Sequence, residues 1–333
     1  MGVRVGITGV SGYGGRELLR LCAGHPAFEV VYVSGDSTAG QRLDSLFPAL
    51  SGQALGGLVV QRFEPREVAG LDLLFASLPT GQSREPLAQV PAGVKIVDVG
   101  GDHRFVEGWT YGLTELPGAR EEIARSRRVA DPGCYSVTSL LALAPLVAHG
   151  VIEPEGIVVD AKSGVSGAGR GGAGQYGYAD TNEDVVPYKL LKHDHVPEMR
   201  QALERLAGGR RASLAFSPHL VPMTRGILAT CYGRPRGEVT TAMALEAARA
   251  FYEDAPFVRV VEIDNGFGLH SKWATGSNLA FVSYVVNPET GLVVALGVTD
   301  NLGKGAAGQA VQNANLMTGQ AETAGLLGLP LSP

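Results

Sequence analysis

The chain has 333 residues, about twice the roughly 150 residues of a single domain, so two domains or one elaborated domain are expected. With 45% hydrophobic and 18% charged residues it can bury a sizeable core, which excludes global disorder. A formal net charge of −5, with no Lys/Arg run longer than two, gives no footprint for nucleic acid or an anionic membrane.

In chain order, residues 3–8, 29–34, 71–78 and 94–99 are short runs rich in Val, Ile and Leu, the pattern of strands buried on both faces. Between the first two, residues 13–23 place Leu18, Leu19 and Cys22 on one helical face and Arg16, Glu17 and Arg20 on the other. Strand, helix, strand predicts a doubly wound parallel sheet of the Rossmann type. A short strand at 128–130 leads into an apolar helix over 136–148. Residues 132–152 carry no Asp, Glu, Lys or Arg, but Pro145, His149 and Gly150 point to a buried helix rather than a membrane span.

Beyond residue 150 strands are expected at 156–162, 212–216, 225–232, 258–263, 279–286 and 292–298, with Asn287-Pro-Glu-Thr-Gly291 as a hairpin-type turn. Helices are expected at 195–207 and 240–253. This half therefore reads as a second α+β domain with a mixed, largely antiparallel sheet. A last helix, 304–318, returns to the first domain in this reading. The N-terminus starts directly on a strand pattern, so no export signal is expected.

Glycine is in excess, 46 of 333 residues against a usual share of roughly 7%. It lacks a strict period and gathers in motifs. Gly9-Val-Ser11-Gly12-Tyr13-Gly14-Gly15 joins the first strand to the first helix. Glycines there let backbone N–H groups and the positive helix end approach a pyrophosphate. The spacing is not the commonest dinucleotide fingerprint, so a glycine-rich turn without nucleotide is the alternative. At the end of the second strand, Ser34 and Ser37 suit a 2′-phosphate, whereas Asp36 suits the 2′-hydroxyl of NAD.

Cysteines at 22, 134 and 231 are too few and scattered for a disulfide framework or zinc site, which favours a reducing, cytoplasmic compartment. Cys134 follows Asp131-Pro-Gly at the start of the apolar helix, where the helix dipole favours a nucleophilic thiolate; a small buried hydrophobe is the alternative, and the expected one for Cys22 and Cys231. His193, His195 and Glu198 combine two imidazoles with a carboxylate, suited to general acid/base work beside a thiol. The same residues could serve a metal, though no further ligand set with recognisable spacing follows, or simply form a solvated helix start. The loop from Lys162 to Gly172, with Ser163, Gly164 and Gly167, either clamps a cofactor or links two elements. Arg104 and Arg225 are anion-holding candidates, or structural ion pairs.

Four segments occur in one order: Pro132-Gly-Cys134-Tyr, Ser163-Gly-Val-Ser-Gly-Ala-Gly-Arg170, His193-x-His195-x-Pro-Glu198 and Pro218-His-Leu-Val-Pro-Met-Thr-Arg225-Gly-Ile227. With them the chain resembles the N-acetyl-gamma-glutamyl-phosphate reductases, in the aspartate-semialdehyde dehydrogenase-like group. The likeness extends from the Gly9 turn to Asp300-Asn301 and the segment ending at Asn315. It implies Cys134 as nucleophile and His195 as acid/base, with His193 and Glu198 beside it. It further implies Arg104, Arg225 and Tyr188 at the substrate. At the cofactor it implies Gly9, Ser11, Gly12, Tyr13, Gly14, Ser34, Ser37, Ser163, Gly164, Gly167 and Asn301. The domains implied are a Rossmann domain over 1–133, completed by the C-terminal helix at about 303–333, and a catalytic and oligomerisation domain over 134–302.

The reaction implied is NADPH-dependent reduction of N-acetyl-glutamyl 5-phosphate to the semialdehyde and phosphate, in arginine biosynthesis, through a cysteine thioester. Asp36 leaves NAD open as the cofactor. The implied partners are a small acyl phosphate and further copies of the chain, as a homo-tetramer or homo-dimer, without nucleic acid, membrane or metal. Two other readings stay open: the same chemistry on a carrier-bound aminoadipyl phosphate in lysine biosynthesis, and a non-catalytic dinucleotide-sensing regulator. A metal-dependent enzyme is a third.

Overall fold

The computed structural model describes residues 2–170, 177–263 and 266–331. Two compact units emerge. One consists of Met1–Pro132 with Ala306–Leu327, the other of Gly133–Gly305 with Gly328–Pro333.

The first unit is built on a six-stranded sheet of β1 (Val3–Thr8), β2 (Phe28–Ser34), β3 (Leu73–Ala76), β4 (Lys95–Asp98), β5 (Thr110–Tyr111) and β6 (Arg128–Ala130). The spatial order is β2-β1-β3-β4-β6-β5, every pair parallel. The order reverses beside β1, so the turn after β1 lies at a switch point of the kind where open α/β sheets bind ligands. Helix α1 (Tyr13–Ala23) buries Leu18, Leu19 and Cys22 as its pattern requires. Short helices α2 (Leu43–Leu46), α3 (Arg84–Ala88) and α4 (Ala119–Arg125) fill the connections. The expected strand at 71–78 is shorter than its apolar run, because Pro79 and Gly81 carry the chain into a turn.

The second unit begins with α5 (Cys134–Ala148), thirteen of whose fifteen residues are buried. It continues through β7 (Ile157–Gly164), α6 (Tyr178–Thr181), β8 (Val186–Pro187), α7 (His195–Leu206), β9 (Leu214–Val221), β10 (Ile227–Gly233), α8 (Thr241–Phe251), β11 (Val258–Val260), β12 (Ala280–Val286) and β13 (Val293–Thr299). Its seven strands run β11-β12-β13-β10-β7-β9-β8. Only β11/β12 and β7/β9 pair in parallel. Helix α5 lies over β10 and β13 with α7 and α8 beside it. Strand β9 runs through Ser217-Pro218-His219, which looks like a breaker. Pro218 lacks only its N–H, and its carbonyl accepts the N–H of Tyr188 at 3.1 Å.

Among the described residues no helix is long and apolar enough to cross a membrane. At the second crossing between units, one π-helical turn (Gly303–Ala307) leads into α9 (Gly308–Thr318). Helix α9 belongs to the first unit and packs on α1, α4 and β4. Beside Val311 and Met317 it buries four amides: Gln309, Gln312, Asn313 and Asn315 are fully buried.

Candidate active site

In the second unit the chain starts α5 at Cys134, two residues earlier than its apolar run. Gly133 is the N-cap residue, and its carbonyl accepts the N–H of Val137 at 2.8 Å. Its own N–H donates to Glu198 Oε1 at 2.9 Å. Glu198, 3% exposed, therefore holds the backbone at the start of α5 from α7. The His195 ring lies directly over Gly133: a Cβ there would stand 2.3 Å from His195 Nε2. The residue before Cys134 is glycine because the imidazole occupies that space. Cys134 itself is partly exposed, whereas Cys22 and Cys231 are buried. Burial pushes the Cys231 thiol up to about 12 and raises that of Cys22 as well, so neither supplies a thiolate near neutrality.

His193 sits behind His195, their rings 4.5 Å apart, and its Nδ1 accepts the N–H of His195 at 3.1 Å. Tyr135, Tyr188 and Phe216 meet the His193 ring edge-on at 5.3–5.6 Å. The Tyr188 hydroxyl donates to that of Tyr135 at 3.3 Å, which donates to the carbonyl of His219 at 3.1 Å. Burial first, then the Tyr188 contact, raises the Tyr135 phenol well above its ordinary value, so it stays protonated. This aromatic box fixes the plane of His193 and, through it, the backbone of His195. Among the described residues no three His, Cys, Asp or Glu side chains gather as metal ligands.

Ser163 and Gly164 end β7, and Gly167 lies in the tight turn that follows, Val165–Ala168, against the segment that leads into β10. A Cβ on Gly164 would meet the Thr224 carbonyl at 2.7 Å, and one on Gly167 the Ser163 hydroxyl at 3.0 Å. Asn301, 2% exposed, braces this turn by donating to Ser166 Oγ at 2.8 Å and accepting the Gly226 N–H at 2.7 Å. Residues 171–172 of the expected loop lie outside the described residues. Arg225 pairs with the fully buried Asp300, Nε to carboxylate at 2.9 Å. Asp300 also accepts the N–H groups of Gly276, Leu302 and Gly303.

In the first unit Gly9 has φ +75, and a Cβ would stand 2.1 Å from the Ser77 carbonyl. A Cβ on Gly15 would clash with the Gly9 carbonyl at 2.2 Å. Only a bare backbone makes this turn, which brings Ser11, Gly12, Tyr13 and Gly14 to the start of α1. That cradle fits a pyrophosphate. Ser34 is fully buried at the end of β2, whereas Asp36 and Ser37 are exposed. Arg104 donates from Nε to the Asp131 carbonyl at 2.9 Å.

The profile of the family described as "Semialdehyde dehydrogenase, NAD binding domain" matches residues 4–126, and that of "Semialdehyde dehydrogenase, dimerisation domain" matches residues 134–301. A protein named N-acetyl-gamma-glutamyl-phosphate reductase from Bradyrhizobium sp. strain BTAi1 is 57% identical over 333 residues, 100% of both chains. One of the same name from Methylobacterium sp. strain 4-46 is 58% identical over 334 residues, again 100% of both. The chain belongs to the N-acetyl-gamma-glutamyl-phosphate reductase family. Among solved structures, aspartate semialdehyde dehydrogenase II of Vibrio cholerae complexed with ASA has a TM-score of 0.76 at 19% identity, covering 96% of this chain and 98% of that one. That likeness is one of fold.

For this member of the family, several residues escaped the sequence reading: Asp300, Tyr135, Asp98, Ser83, Asp102 and His103. Most act through a partner distant in sequence, such as Asp300 on Arg225, 75 positions away, whereas Asp98 and His103 are five apart. The acid Asp98, directly after the apolar Ile96-Val97 of its strand, is the one available signal.

Proposed function

We propose that this protein reduces N-acetyl-glutamyl 5-phosphate to the 5-semialdehyde and inorganic phosphate, using NADP. The observation that carries the reading is Cys134 at the start of α5 with the His195 ring packed on Gly133 beside it. Full-length relatives with that name support the substrate. In this reading the Cys134 thiolate, favoured by the first-turn N–H groups, attacks the acyl carbon and phosphate departs, leaving a thioester. The Gly9 turn would hold a reduced nicotinamide dinucleotide, which would supply the hydride that the thioester carbon needs. The tetrahedral oxyanion collapses to the aldehyde and the sulfur leaves, His195 supplying the proton. His193 and Glu198 hold His195 and Gly133, and Arg104, Arg225 and Tyr188 bind the substrate's charged groups.

The first unit carries the cofactor in this proposal, through Gly9, Ser11, Gly12, Tyr13, Gly14, Ser34 and Ser37; by the family resemblance, Ser163, Gly164 and Gly167 of the second unit serve the nicotinamide and Asn301 is a further cofactor contact. The second unit carries catalysis and assembly into a homo-dimer or homo-tetramer. No disulfide joins the three cysteines, which supports a cytoplasmic setting.

The test is the oxidative direction: N-acetyl-glutamate semialdehyde, phosphate, and NADP or NAD. Phosphate-dependent reduction of NADP is expected, and Cys134→Ser should lower it at least about a thousandfold. Cofactor reduction that ignores phosphate, or a Cys134→Ser variant with near-normal turnover, would sink the reading. Carrier-bound aminoadipyl semialdehyde, assayed alongside, should be the poorer substrate.

A further inference from the structure

After β4 the chain folds back over two buried carboxylates. Asp98, fully buried, accepts the Gly100 N–H at 3.0 Å, and its Oδ2 lies 2.6 Å from His103 Nδ1 and 3.0 Å from Ser83 Oγ. Asp102, 8% exposed, accepts the N–H groups of Gly81 and Ser83 at 2.6 and 2.9 Å, and its Oδ2 lies 2.9 Å from the same Ser83 Oγ. A serine hydroxyl carries one proton, so it serves one carboxylate at a time. A proton on His103 Nδ1 keeps Asp98 Oδ2 satisfied while Ser83 serves Asp102. The His103 ring lies nearly flat on Trp109 at 3.9 Å, with the Arg128 guanidinium 5.6 Å from the indole.

Arg104 stands between this anchor and a second one. Phe105 holds a left-handed φ of +54, rare for a bulky residue, and its ring stacks on Tyr111 at 4.4 Å. The Asp131 carbonyl that accepts from Arg104 belongs to a residue whose N–H is bonded to the Asp98 carbonyl at 2.8 Å. Asp98 thus holds the arginine's neighbour by its side chain and the arginine's partner by its main chain. We propose that the Asp98–His103 pair, with Ser83 and Asp102 beneath it, positions Arg104 for the anionic substrate. The inference rests on the reading of Arg104 as a substrate-binding residue; Asp98 and His103 are positioning residues, acting only through it.

The experiment is a kinetic cycle on the full chain in the phosphate-dependent assay, using His103→Leu, Arg104→Ala, the double variant and His103→Asn, whose amide nitrogen stands where Nδ1 did. His103→Leu should raise the KM for the semialdehyde about tenfold and leave the KM for NADP within about twofold. His103→Asn should recover most of that loss, and His103→Leu should add nothing once Arg104 is alanine. An equal effect of His103→Leu with and without Arg104, or no rescue by His103→Asn, would overturn the positioning role alone. An unchanged semialdehyde KM in Arg104→Ala would overturn the reading of Arg104 and the proposal with it. Should His103→Leu fail to fold, Ser83→Ala takes its place, with the same dependence on Arg104 expected and independence from it overturning the proposal.

Discussion

At the scale of single residues, the active-site geometry turns on an absent side chain. Gly133 has ordinary extended φ and ψ of −72 and 147, so alanine there meets no backbone strain. Its Cβ would, however, occupy the place of the His195 ring. Gly133→Ala should therefore fold with nearly unchanged melting temperature, since a glycine N-cap contributes only about 1 kcal/mol or less over alanine. Its kcat should drop about tenfold to a hundredfold as the imidazole is displaced. A variant with wild-type kcat would show that the His195 position is unimportant. Cys134, His193 and His195 stand out in the sequence as candidates because each lies within a few residues of a helix start. Asp98 and His103 do not, since a His–Asp pair five residues apart has no signature until Ser83 and Trp109 close around it.

At the scale of elements, the long strands and helices followed from period and punctuation, down to the apolar α5. Strands β5 and β8 have two residues each, too few for any alternation to show. Helix α9 was expected from its composition, but its fully buried amides could not be. They bond to groups far away: Gln309 to the Gly112 carbonyl, Asn313 to Asp131, and Asn315 to His25.

The last of these bonds titrates. His25 Nδ1 accepts the N–H groups of Ala27 and Phe28, both at 3.1 Å, while Nε2 meets Asn315 Oδ1 at 2.9 Å. Only the neutral ring can do both. Burial lowers its pKa from 6.5, partly offset by the Asn315 and Ala324 contacts. The folded protein thus binds this proton less readily than the unfolded chain. Its contribution to stability is complete above an unfolded-state pKa of about 6.5 and is lost as the pH falls from there through the lower folded value. Melting temperature should fall between pH 7.5 and 5. In His25→Phe that fall should be shallower, from a lower starting point; an equally steep fall would assign it to other groups.

At the scale of the whole molecule, the seven-stranded sheet carries its helices α5, α7 and α8 on one face. Strands β7 and β12 leave Val158 and Val285 partly open, 39% and 41% accessible. Together with the match to a dimerisation domain, this supports assembly of the chain with itself. Equilibrium sedimentation should give a dimer or tetramer at micromolar concentration, and a monomer there would refute it.

The interrupted first unit also orders events during synthesis. When Pro132 leaves the ribosome, the parallel sheet has its strands but lacks α9, so Asp131 and the Gly112 carbonyl have yet to meet Asn313 and Gln309. The remaining partners are some 180 codons away. At 5–20 residues per second that is a wait on the order of ten to forty seconds. Through that interval the nascent nucleotide-binding half holds an open, unfinished flank, while the segment that interrupts it is free to fold first.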